Sequence, residues 1–138
     1  MDLNYLAIIV ATVLDFVAGA IWFGPIFGKQ WGKVHGFDKL PKAEQDRLMK
    51  SMGPLYGVQA LVTLVTVFVL AIFIAYQPSW NAYAMAAFFW IGFVVPTQIS
   101  AVIFSNTEKK YMFPKVAMQA GGSIIFLEIA AAVLHLWQ

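Results

Sequence analysis

Asp15 and Glu128 are the residues whose type and setting could do chemistry. Each lies in a long apolar run, Asp15 in NYLAIIVATVLDFVAGAIWF and Glu128 in SIIFLEIAAAVLHLW, and neither run holds a lysine or arginine. An ionised carboxylate in hydrocarbon costs on the order of 3 kcal/mol, so such a group must carry a proton, meet a cation or touch water. At about 1.5 Å of rise per helical residue, Asp15 stands about 18 Å from Leu3 and Glu128 about 13 Å from Trp137. The two acids therefore have similar depths if Leu3 and Trp137 share a membrane face. As a pair they could exchange a proton or a cation with a substrate pathway. The other use is structural: a protonated acid donating a hydrogen bond to a facing helix, or lining a small wet cavity. Both uses stay open at this level.

The elements that must position these acids follow from length. A bilayer core about 30 Å thick needs roughly 20 apolar residues in a helix, and the segments 3–23, 55–76, 80–104 and 113–137 meet that requirement. They are too long for strands and lack the alternation of a membrane barrel. Of 138 residues, 61% are hydrophobic and 12% charged, whereas soluble domains carry about 25% charged residues. Too few charges remain to clothe a soluble surface. The expected fold is all-α, an integral membrane four-helix bundle forming a single domain over residues 1–138. The first run has spanning length and no basic residues before it, which fits a retained helix rather than a signal peptide. The chain has no cysteine, so disulfide and thiolate chemistry are excluded.

Charge gives the orientation. Lys29, Lys33, Lys39, Lys42, Arg47 and Lys50 fall between the first and second spans, and Lys109, Lys110 and Lys115 between or beside the third and fourth. All nine basic residues thus lie on one side, while the other receives Met1, Asp2, the turn Gln77 to Ser79 and Gln138. The positive-inside rule predicts a multi-pass protein of the cell (inner) membrane, inserted one way, with both termini on the non-cytoplasmic side.

Within GAIWFGPIFGKQW, Trp22, Phe23, Phe27 and Trp31 fall at the depth where aromatic rings favour headgroups. Gly24-Pro25 is expected to break the helix there, since proline lacks an amide hydrogen and restricts the residue before it. Phe27 to Val34 would then run along the interface. LPKAEQDRLMKSM reads as a short polar or amphipathic cytoplasmic helix over 41–52, with Lys42 and Asp46, then Asp46 and Lys50, spaced for pairing. Its Leu48, Met49 and Met52 can rest on the membrane surface.

In the third span, Pro96 frees a carbonyl one turn earlier, and Thr97, Gln98 and Ser100 can satisfy loosened backbone groups. In the second, Gln59, Thr63 and Thr66 form one helical stripe. These side chains make either a polar path from Gln59 and Gln98 toward the acids or hydrogen bonds between packed helices. Ala7, Ala11, Asp15 and Gly19 recur every four residues, and Ala117 and Gly121, with Gly122 beside them, repeat the spacing on the last span. Such faces allow close helix approach and put Asp15 in a packed interface rather than toward lipid.

GAIWFGPIFGKQW, the polar segment and span after it, FFWIGFVVPTQISAVIFSNTEKK and the last span together resemble the bacterial family known as domain of unknown function 1761. Gly19, Trp22, Phe23, Pro25, Phe27, Gly28 and Trp31 carry the likeness after the first helix, and Trp90, Gly92, Phe93, Pro96 and Thr97 carry it in the third. The resemblance covers nearly the whole chain. It implies a small four-span integral membrane protein and transfers no activity.

Other chemistries find no residues. His35 and His135 fall on opposite sides of the membrane, phosphate-cradling glycine loops are missing, and no serine or histidine constellation marks a hydrolase. No enzyme, cofactor or metal site is expected. The lysines form no dense cluster beyond Lys109-Lys110, which leaves lipid headgroups and excludes nucleic acid. Four helices enclose little volume, so a pathway would need more than one copy. The expected partners are the lipid bilayer, further copies of the chain as a homo-oligomer, and a small solute or cation. The expected function is an oligomeric proton- or cation-linked transporter or channel using its intramembrane carboxylates. The competing reading is a non-catalytic scaffold or accessory subunit whose polar residues serve helix packing.

Overall fold

The computed structural model describes residues 2–137; Met1 and Gln138, assigned above to the terminal side, lie outside the described residues. Asn4 starts the first helix, its side-chain oxygen accepting from the Ala7 amide at 3.0 Å, as an N-cap residue does. Helix α1 (Tyr5–Ile21) runs into a π-helical turn, Trp22–Ile26, and is followed by α2 (Gly28–Val34), a 3-10 turn (Phe37–Lys39) and α3 (Lys42–Ser51). Then come α4 (Gly53–Tyr76), α5 (Ala82–Phe89), a second π-helical turn at Trp90–Val94, α6 (Val95–Ile103) and α7 (Lys109–Leu136).

Four of the resulting rods, Tyr5–Ile26, Gly53–Tyr76, Ala82–Ile103 and Lys109–Leu136, are long and apolar enough to cross a membrane. The chain is an all-helical, multi-pass membrane protein, with the short polar helix α3 between the first two rods.

Two local expectations are corrected. Gly24-Pro25 does not break the first rod. The Phe27 amide donates to the Trp22 carbonyl five residues back, at 2.9 Å. This wider π turn leaves room for the proline ring and needs no donor from Pro25. The rod ends at Phe27, where φ is −117 and ψ is 10, and α2 starts one residue later. On α3, the exposed ion pair that forms is Glu44 with Arg47 at 3.6 Å. Neither Lys42–Asp46 nor Asp46–Lys50 closes among the described residues, since pairs between exposed, flexible side chains gain little.

The core sits at the end that carries both termini. Ala7, Ile8 and Ala11 of α1 meet Val67, Leu70, Ala71 and Ile74 of α4, Ala82, Met85 and Ala86 of α5, and Leu127, Ala130, Ala131 and Leu134 of α7. Alanine on each helix lets the backbones close up. A hydrogen bond from Asn4 Nδ2 to the Trp137 carbonyl, at 2.7 Å, fastens the two chain ends together. Helix α7 is the hub, touching α1, α4, α5 and α6. Toward the lysine-bearing end the rods part: α4 is exposed from Gly53 to Gln59, and α6 buries only Val102.

Candidate functional site

Asp15 is the last member of the buried stripe Ala7, Ala11, Asp15 on α1. It is only 6% exposed and is the one buried charged residue among those described. Its Oδ1 is fully enclosed and has no hydrogen-bond partner. The register of α1 against α7 fixes its level. One turn beyond Asp15, a side chain at Gly19 would meet the Phe126 ring at 3.9 Å. Further along, Trp22 Nε1 donates to the Met118 carbonyl at 2.9 Å. The helices run antiparallel, so Asp15 stands beside the turn that follows Phe126, where the alanine-rich core gives way to the open end.

Glu128 is near that level and faces elsewhere. It lies half-buried in a shallow groove walled by Ile124, Ile125, Ile129 and Ala132, all residues of α7 itself. Leu127, Ala130, Ala131 and Leu134 take the inward positions of α7, and about 100° per residue turns Glu128 off that face. Depth brings the two acids level, while helix rotation keeps them apart; no ion pair among the described residues reaches either one.

A second polar cluster joins α6 and the π-helical turn before it to α7. Trp90 Nε1 donates to the Ala120 carbonyl at 2.9 Å and to Ser123 Oγ at 3.2 Å. Gln98 Nε2 donates to Ser123 Oγ at 3.3 Å and to the Gln119 carbonyl at 3.4 Å. Thr97 Oγ1 donates to the Phe93 carbonyl at 2.6 Å, one turn back on the same rod. Ser100 is exposed. The α4 stripe satisfies itself: Thr63 donates to the Gln59 carbonyl at 2.8 Å and Thr66 to the Val62 carbonyl at 3.1 Å. Among the described residues no hydrogen bond links that stripe to Gln98 or Asp15.

Among the described residues, the enclosed side-chain atoms without partners are Asp15 Oδ1, Gln98 Oε1 and Gln119 Oε1. All three are oxygens. Amide oxygens and a carboxylate oxygen only accept, so what would satisfy them is a proton, a water, a hydrogen-bond donor or a cation.

The sequence misses what the tryptophans do. Trp22 and Trp90 each open a π-helical turn, and each indole donates to a carbonyl of α7 on the lysine-end side of Gly121-Gly122. The glycine pair does not admit a neighbouring backbone; it seats an indole. A Cβ on Gly121 would stand 3.3 Å from the Trp22 ring, and one on Gly122 would stand 2.9 Å from Trp22 Nε1. The signal present in the sequence is the repeated Trp-x-Gly, at Trp22 to Gly24 and Trp90 to Gly92, on two rods that run the same way. Around it, Phe27 packs on Trp22 with ring centroids 4.6 Å apart, and Trp31 packs on Phe23 at 4.7 Å. Gly28 passes close to the Phe23 carbonyl, which a Cβ would approach to 3.2 Å.

The family model described as protein of unknown function, DUF1761, matches residues 6–134. No curated protein and no solved structure matches the chain.

Proposed function

The chain belongs to the DUF1761 family, and from that premise we propose that it moves protons or small cations across a membrane, with Asp15 as the group that takes up and gives off the charge. The observation that carries this reading is the enclosed, partnerless Asp15 Oδ1 at the seam between the packed end and the open end. A carboxyl at that depth is expensive to keep, and residues of this kind mark ion pathways and proton relays. Gln98 and Gln119 add further unsatisfied acceptors along the lysine end of α6 and α7.

In this mechanism a charge arrives from the lysine end, which the positive-inside rule assigns to the cytoplasm of a cell with the protein in its inner membrane. It reaches Asp15 and waits against the apolar layer of Ala11, Leu70 and Leu127. Release toward the termini requires that layer to part. The π turns at Trp22 and Trp90 are where the first and third rods can change their hydrogen-bond pattern and bend.

The test uses the purified chain in liposomes holding a pH-sensitive dye, driven by a potassium diffusion potential. Wild type is expected to carry protons. Asp15→Asn keeps the shape and loses the exchangeable proton; its flux should fall by about tenfold or more, the factor that about 1.4 kcal/mol of barrier supplies. Wild-type flux in Asp15→Asn, at equal protein and intact helicity, would overturn the reading. It would favour the scaffold role, in which the bonds from Trp22, Trp90 and Gln98 to α7 serve helix packing.

A further inference from the structure

Glu128 has no role in that mechanism, and its surroundings are harder to account for than those of Asp15. Its groove has walls of Ile124, Ile125, Ile129 and Ala132 and nothing from another helix. The carboxyl therefore faces out of the bundle, toward hydrocarbon, at a depth where an acid costs on the order of 3 kcal/mol. We propose that a second copy of the chain covers this face, the two copies being related by a twofold axis parallel to the rods, so that their Glu128 carboxyls meet.

Three features select a second copy as the occupant. The first is orientation. All nine basic residues lie at one end of the bundle, so every copy inserts the same way up. A twofold axis relating such copies must run along the membrane normal, and it places any residue at the same depth as its counterpart. A different partner would need its own polar group at that level; a second copy has one by symmetry.

The second is chemistry. A protonated carboxyl is both donor and acceptor, so two of them can exchange hydrogen bonds, and a pair that has lost one proton can share the other. The face is self-complementary without any cation, and the spanning rods hold none near this level. The third is shape. Ile124 and Ile125 precede Glu128 by four and three residues and Ala132 follows it by four, so all three flank it on one face of α7, with branched chains on one side of the acid and a small residue one turn beyond it. Ala132 lets the two α7 helices approach.

This interface is independent of Asp15, which is buried inside the bundle, while Glu128 lies on the outward face of α7. Failure of either proposal leaves the other standing.

The chain has no cysteine, so a single introduced one is unique. Ile125→Cys and Ala132→Cys are introduced separately, and membranes containing each are oxidised. Both are expected to give a disulfide-linked dimer, while Ile9→Cys on α1 and Val62→Cys on α4, both exposed positions, stay monomeric. Glu128→Gln in the Ala132→Cys background should keep the dimer, because an amide also pairs with itself. Glu128→Lys should lose it, and should regain it as a mixed dimer when co-expressed with a differently tagged Ala132→Cys chain that retains Glu128. Equal crosslinking at Ile9 and Ala132, no crosslinking at either α7 position, or an adduct between Ala132→Cys and a protein of another size would each overturn the proposal.

Discussion

At the end that carries the termini, α1, α4, α5 and α7 close on one another through fully buried alanines, and Leu134 of α7 has no exposure at all. At the lysine end, the same α4 leaves Leu55, Leu61 and Val62 more than half exposed. In both regions the rods themselves are apolar in sequence. What separates them is side-chain size at the helix contacts. Alanine spacing brings backbones together and leaves no room for polar groups. At the lysine end bulky indoles hold the rods off, and each indole nitrogen then needs an acceptor, which α7 supplies from Met118 and Ala120. Stability is thus concentrated at one end and unsatisfied polarity at the other, with Asp15 on the boundary.

Large-to-small changes give the sharpest separation of the two ends. Leu134→Ala should destabilise the protein by about 2–5 kcal/mol, because the packed end cannot collapse around the lost side chain, as read by denaturant or thermal unfolding in detergent. Gly122→Ala comes next. Its new methyl would stand 2.9 Å from Trp22 Nε1, and overpacking of this kind costs about 1–3 kcal/mol. Combined with Trp22→Phe, it should cost less than the sum of the two single changes, since both act on one contact. Trp22→Phe alone removes the donor to Met118 and should cost about 1 kcal/mol. Smallest is Leu61→Ala on the splayed part of α4, expected within about 0.5 kcal/mol of wild type. If Leu61→Ala proves as damaging as Leu134→Ala, the lysine end is packed as well and the contrast fails.

How far these features could be read from sequence depended on their physical origin. The four rods were legible because spanning length is a one-dimensional property, and the levels of Asp15 and Glu128 followed from helical rise alone. The inward face of Asp15 was legible too, since Ala7 and Ala11 mark the same stripe. The outward turn of Glu128 was not: its α7 neighbours are apolar on every side, so only the packing of α1, α4 and α5 decides which face is covered. Pro25 misled because proline usually ends a helix, and a π turn that tolerates it depends on the Trp22 carbonyl finding the Phe27 amide. Trp22 itself was read as a headgroup anchor, a role its position permits, while its bond to Met118 joins residues 96 apart in the chain. Gly121-Gly122 looked like a helix contact for the same reason: spacing shows that something comes close without showing what.

The claim that most of this account rests on is that Asp15 exchanges its proton. The direct measurement is the infrared spectrum of the protein in lipid with isotopically labelled aspartate, recorded for wild type and Asp15→Asn while the pH of the medium is stepped. If Asp15 exchanges its proton, an aspartate carbonyl band changes reversibly with pH in wild type and is missing from Asp15→Asn. An Asp15 band that stays the same at every pH in a folded protein would contradict it.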